Sequence, residues 1–206
     1  LAIPVAYTMS RLTSPFVRRV FLAAVLLPLL VNLLLQSYGW LVILGPGGML
    51  NQALMGLGLI KRPIMLLYNQ NGVLMGLVQT AFPLAVLPIA SAMRGVARTY
   101  EEAAATLGAS RFQVFRQVVL PMSMPGIITG ATLVFAYNAS SFVVPLLLGG
   151  RRVPMLAVMV HDQIAPLMNW PAASAAGVVL IVTTLAIMTL SEYFTGRRRR
   201  RMEASQ

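Results

Sequence analysis

Cysteine is absent from the 206 residues. That removes a disulfide framework, a thiolate metal site and a cysteine nucleophile. Acids are nearly as scarce, with five Asp and Glu in the whole chain, and histidine occurs once, as His161. One His beside one acid, Asp162, is too few groups for a metal site or a nucleophile–base cluster, and no residue pattern for a membrane-embedded enzyme is present. There is no Gly-rich phosphate loop of the GxxxxGK[ST] type, so the chain carries no ATP-hydrolysing site of that kind, and no cofactor is implied. Charge as a whole is deficient: 10% of residues are charged, against about 25% in a soluble domain. What is present in excess is hydrocarbon, with 58% hydrophobic residues and a mean hydropathy of +0.78. Such a surface is compatible with lipid as the solvent and incompatible with water. The expected fold is therefore all-α, a polytopic transmembrane helical bundle.

Four stretches carry no charge: 20–60, 64–93, 117–150 and 163–191. A helix needs about 20 apolar residues to cross the hydrocarbon core. Turn chemistry trims the stretches. Gly45-Pro46-Gly47-Gly48 stops the first helix, Asn69-Gln70-Asn71-Gly72 precedes the second, Gly149-Gly150 ends the third, and Trp170-Pro171 opens the fourth. The predicted spans are 20–42, 73–93, 124–148 and 172–194. Leu1 to Met9 is apolar but rises only about 14 Å as a helix, half a bilayer, and reads as the tail of a partial span.

The excess of basic residues sets the orientation. Arg11, Arg18, Arg19, Arg94, Arg98, Arg111, Arg116 and Arg197 to Arg201, twelve in all, fall on one side, and Lys61, Arg62, Arg151 and Arg152 on the other. The positive-inside bias places the first set, and with it the C-terminus, in the cytoplasm. The run Arg197–Arg201 is then an anchor touching anionic membrane lipid, worth about 1 kcal/mol per residue near the surface. It lacks the interleaved aromatics of a single-strand binder, so nucleic acid is not an expected partner. Glu192 near the same face is read as pairing with that run.

The segment 98–121, RTYEEAAATLGASRFQVFRQVVLP, lies on the basic side between the second and third spans. Thr99 with Glu102 has capping-box spacing, as does Ser110 with Gln113. Glu101 and Glu102 sit where acids favour the positive end of a helix. Gly108 is placed to end the first helix in a left-handed conformation. Phe112, Phe115 and Val119 mark an apolar stripe on the second helix. The prediction is a short helix, a glycine turn and an amphipathic helix ending near Leu120-Pro121. It can pack under its own bundle or dock in a partner's groove.

Glu102-Ala103-Ala104, Gly108, Val118 and Leu120-Pro121 match, spacing for spacing, the EAA signature loop of binding-protein-dependent ABC importer permeases; Val118 stands where isoleucine is commoner. QSYGWLVILGPGGMLNQALMGLGLI, FPLAVLPIASAM, FVVPLLLGG and NWPAASAAGVVLI further resemble the spermidine/putrescine branch, so the resemblance covers the chain. It implies a type I importer permease-like fold in which residues 1–206 form one transmembrane domain. Family members have six spans, and the expectation here is four full spans plus an N-terminal partial span. It also implies residence in the inner (plasma) membrane, a polyamine or other small solute as cargo, and three partners: a cytoplasmic ABC ATPase dimer, a second permease (identical or different) and a periplasmic solute-binding protein. Glu101, Glu102, Ala103, Ala104, Gly108, Leu120 and Pro121, in a coupling loop spanning 97–121, would engage the ATPase.

Polar residues inside spans are candidates for a pathway, although hydrogen bonding between helices, worth about 0.6 kcal/mol on average, is their other use. Tyr38, Trp40, Asn138, Ser141 and Asp162 are the candidates taken forward, with the aromatic faces suited to a cation. The rival class, a secondary transporter or channel driven by an ion gradient, places acids at mid-membrane, and none of the acids here lies there.

Overall fold

The computed structural model describes the backbone of residues 1–203, with side chains described except for Arg151 and residues 192–203. Every regular element among these is helical. In chain order they are α1 (Ala2–Arg11), α2 (Pro15–Leu30), α3 (Leu33–Leu44), α4 (Met49–Gly56), α5 (Gln70–Gly95), α6 (Arg98–Thr106), α7 (Arg111–Val114), α8 (Leu120–Met122), α9 (Met124–Ser140), α10 (Leu156–Ile164) and α11 (Trp170–Glu203), with π-helical turns at Phe115–Val119 and Pro145–Gly149 and a 3-10 turn at Gly150–Arg152.

Three stretches are long and apolar enough to cross a membrane: Leu33–Gly56 (α3 with α4), Gln70–Gly95 and Trp170–Ser191. A fourth is added if Arg111–Met122 and Met124–Ser140, bent by 67°, count as one. The expected first span, 20–42, is instead interrupted. Asn32 caps α3, its side chain accepting the Leu34 N–H at 2.8 Å, so α2 stops at Leu30. An amide that can bond its own backbone favours a new helix start over continuation. Gln36 turns back on the same break, donating to the carbonyl oxygens of Pro28 and Val31. Both polar residues thus serve the backbone. The third span ends at Ser140 rather than 148: Pro145 has no N–H and its ring crowds the carbonyl four residues earlier, at Ser141, where the helix opens. The fourth helix begins at Trp170, with the Asn169 side chain accepting from Ala172 N, and continues through the arginine run. The expected contacts of Glu192 and of Arg197–Arg201 lie outside the described side chains.

By contacts the chain divides into two compact units. One comprises Leu1–Leu26, Phe82–Ala136 and the chain from Ala186 onward. Its core is Ala6 and Met9 of α1, Val25 of α2, Val86, Ile89, Ala90 and Met93 of α5, and Val119. α9 lies directly on α5 here because Gly126 and Gly130 present no side chain. A Cβ at Gly126 would come within 2.6 Å of the Pro88 carbonyl oxygen, and one at Gly130 within 3.0 Å of that of Ala85. Small residues four apart are how apolar helices reach backbone contact when lipid supplies no driving force between them.

The other unit comprises Leu27–Ala81 and Tyr137–Leu185. Val73, Leu77, Val144 and Leu148 form its core, flanked by Leu33, Trp40, Leu41 and Leu67. Asn51, fully buried, holds its loops together: it donates to the carbonyls of Gly45 and Ile64, both at 3.0 Å, and accepts the Ile64 N–H at 2.9 Å. In α11, Val178, Val179, Ile181, Val182 and Leu185 are each at least half exposed, a surface suited to acyl chains.

Candidate functional site

The segment between α5 and α9 is a helix–turn–helix. α6 begins two residues earlier than expected, with Ala97 at the N-cap and no side-chain cap, so Thr99 lies inside the first turn and the Thr99–Glu102 capping box does not form. At its other end the expectation holds. Gly108 has φ +85°, Gly108 N–H bonds Ala105 O at 3.0 Å, and Ala109 N–H bonds Ala104 O at 3.1 Å. This pair of bonds satisfies the last carbonyls of the helix and depends on the left-handed residue between them. The Ser110–Gln113 capping box forms in both directions.

The second helix does not end at Leu120. It runs through Pro121 to Met122, its middle widened into a π turn in which Leu120 N–H bonds Phe115 O. The wider turn admits the proline, which has no N–H to give. It also changes the buried face. Five-residue spacing buries both Val114 and Val119, the latter in the unit's core with Phe115 packed on it, while Phe112 of the expected stripe is 69% exposed.

The predicted coupling residues divide between two faces. Glu101 and Ala104 are half-buried against the unit; Glu102, Ala103 and Gly108 are exposed; Leu120 is half-buried and Pro121 exposed. On the outer side stand three apolar groups, Tyr100, Leu107 (89% exposed) and Phe112. A cleft of about 330 Å³ opens between α1 and the α6–α7 turn, lined by Tyr7, Glu101, Glu102, Ala105, Ala109, Arg111 and Val114, so that exposed Glu102 and half-buried Glu101 both border it.

Two residues that sequence reasoning left out of the site hold this loop. Arg11 of α1 forms an ion pair with Glu101, donates to Val96 O at 3.4 Å and lies 5.9 Å from the Tyr7 ring centroid. Tyr7 in turn meets Phe115 edge-on at 5.0 Å. The available signal was their spacing: Tyr7 and Arg11 are four apart and share a helical face.

The pathway candidates fall in the other unit. Tyr38 is exposed on α3. Trp40 packs on the core and its Nε1 donates to Gln79 Oε1 at 3.3 Å. Asn138 Oδ1 and Ser141 Oγ are buried with no hydrogen-bond partner among the described residues. Asp162 Oδ1 lies 3.3 Å from His161 Nδ1, and the His161 ring stacks on Phe142 at 5.2 Å. The structure therefore joins Trp40 to Gln79, and the break after α9 to α10 through Phe142; it gives Tyr38 no place in either group. Among the described residues no cluster of three His, Asp or Glu could hold a metal ion.

The all-α set of apolar helices, with its bent helix pair and exposed helix–turn–helix, has the fold of the transmembrane subunits of ABC importers. Solved importers agree: a bacterial alginate ABC transporter in complex with alginate pentasaccharide-bound periplasmic protein superposes with TM-score 0.79 at 18% identity over 95% of this chain and 71% of that one. The methionine transporter MetNI gives 0.65 at 17% identity over 97% and 85%. The chain belongs to the family of binding-protein-dependent transport system inner membrane components, whose model matches residues 1–202. It is similar to the spermidine/putrescine transport system permease protein PotB of Haemophilus influenzae, 36% identical over 95% of this chain and 67% of the relative. PotB of Escherichia coli K12 is 32% identical over 88% and 66%. The chain thus spans about two thirds of the length of these relatives.

Proposed function

We propose that this inner-membrane transport component imports a polyamine of the spermidine/putrescine kind, and that the loop 97–121 couples it to a separate cytoplasmic ATPase dimer. A second permease and a periplasmic solute-binding protein complete the assembly, and the C-terminus faces the cytoplasm. The observation that carries the coupling reading is the difference in exposure along the loop: Glu102, Ala103 and Leu107 are exposed, while Glu101 is half-buried and paired with Arg11. ATP binding closes the ATPase; the docked helix follows, and Leu120-Pro121 passes the displacement to α9. Hydrolysis belongs to the partner, and this chain supplies the lever and the wall of the pathway. The polyamine assignment draws support from the relatives' names and from the aromatic and acceptor groups Trp40, Asn138, Ser141 and Asp162, which suit ammonium groups.

The test is uptake of labelled putrescine and spermidine into proteoliposomes holding the complete complex. ATP-dependent uptake is expected. Gly108→Leu is expected to abolish most of it while leaving membrane insertion intact, because the left-handed turn then costs about 1–2 kcal/mol. Uptake that ignores ATP and follows a proton or sodium gradient would contradict the coupling reading; ATP-driven uptake of other solutes alone would contradict the polyamine reading.

A further inference from the structure

The coupling loop is joined to its unit covalently at two places, and both joints are compliant. At the entry, Val96 and Ala97 form a non-helical link between α5 and α6, with Ala97 extended at φ −62° and ψ 138°. At the exit, the second helix passes through the π turn Phe115–Val119 and the 67° bend before α9. A helix pair hung on two such joints could pivot without moving the bundle. Val119 anchors the exit helix in the core; what holds the entry joint and α6 as well is α1. Its Arg11 reaches the entry joint through Val96 O and the first turn of α6 through Glu101; its Tyr7, one turn back, reaches the exit helix through Phe115. The ion-paired side chains are only 18% and 19% exposed, so they are screened less than a surface pair, and α1 itself is anchored by Ala6 and Met9 in the core.

We propose that Arg11 is a positioning residue for coupling: with Tyr7 it clamps both helices of the loop to α1, making α1 a third, non-covalent strut through which displacement of the loop enters the bundle. This rests on the coupling reading above. It assigns Glu101 and Glu102 different tasks, Glu101 bracing the lever from inside and Glu102 facing the partner.

The experiment measures solute transported per ATP hydrolysed in the full complex reconstituted in proteoliposomes, for Arg11→Gln, Glu101→Gln and the charge swap R11E/E101R. Each single variant is expected to assemble with the ATPase and to lower the transport-to-hydrolysis ratio by roughly fivefold or more. The swap is expected to recover at least half of the lost ratio, which a merely stabilising or docking role for either residue would not produce. Single variants with a wild-type ratio, single variants that fail to assemble, or a swap no better than the singles would each overturn the strut. Gly108→Leu run in parallel separates the two claims. If it uncouples while Arg11→Gln does not, only the strut fails; if neither alters the ratio, the coupling reading itself fails.

Discussion

Single residues carry more of this structure than their number suggests, because an apolar chain has few polar groups to spend. Asn51 makes three hydrogen bonds across two loops from a fully buried position. Asn51→Leu leaves the Ile64 N–H and two carbonyls without their partner, at about 1–3 kcal/mol for each group left unsatisfied. The expected outcome is a lower melting temperature in detergent and faster proteolysis within residues 57–69. Gly108 is a conformational requirement and Gly126 a spatial one. At Gly108 nothing lies within 4 Å of a new Cβ, so the penalty of substitution comes from φ alone; at Gly126 the backbone is ordinary and the neighbour is a carbonyl. Gly108 was legible in the sequence because glycine after a run of strong helix formers has one common use. Asn51, Tyr7 and Arg11 were not. A lone amide among apolar residues, and an arginine that also fits an anchor's place, acquire their roles from distant partners, Ile64 for Asn51 and Glu101 for Arg11, which local pattern does not reveal.

At the scale of elements, hydropathy located every long apolar stretch but misplaced where helices break. The charge-free run beginning at Val20 reads as one span, yet Asn32 caps a new helix; the run to Gly150 reads as one, yet Pro145 opens it at Ser141. In both, a local hydrogen bond or a missing N–H outweighs uniform hydrophobicity. The π turn at Phe115–Val119 keeps Phe115 and Val119 of the expected stripe at the core and leaves Phe112 exposed, since a period of 3.6 cannot anticipate a turn of different pitch. The α5–α9 contact is the element-scale prediction. Gly126→Leu forces bulk against the Pro88 carbonyl and should destabilise the packed pair by about 1–3 kcal/mol, as overpacking does elsewhere. Gly95→Ala, where a new Cβ meets nothing within 4 Å, should be neutral or slightly stabilising. Melting of the two purified variants in mild detergent, side by side, checks the contrast; equal effects would show that α9 does not rest on α5 at Gly126.

For the whole molecule, the scarcity of acids and the surplus of arginine acquire a common explanation. In the proposed orientation the arginines would hold one face at the anionic leaflet, and of the five acids two, Glu101 and Glu102, sit in the first helix of the loop, where one would brace the loop and the other face the partner. A transporter driven by an external motor, as proposed, needs no proton-carrying acid at mid-membrane. The loop's place in the assembly is where the account is most exposed, and the absence of native cysteine makes it directly measurable. Ala103→Cys, the sole thiol of the chain, is placed on the outer face of α6, with Lys61→Cys as the control assigned to the opposite side of the membrane; each is treated with a short thiol-to-amine cross-linker in the assembled complex. The account predicts that Cys at position 103 joins this chain to the ATPase subunit, with a yield that changes when ATP is added, and that Cys at position 61 does not. Cross-linking to the ATPase from position 61, or none from position 103, would contradict it.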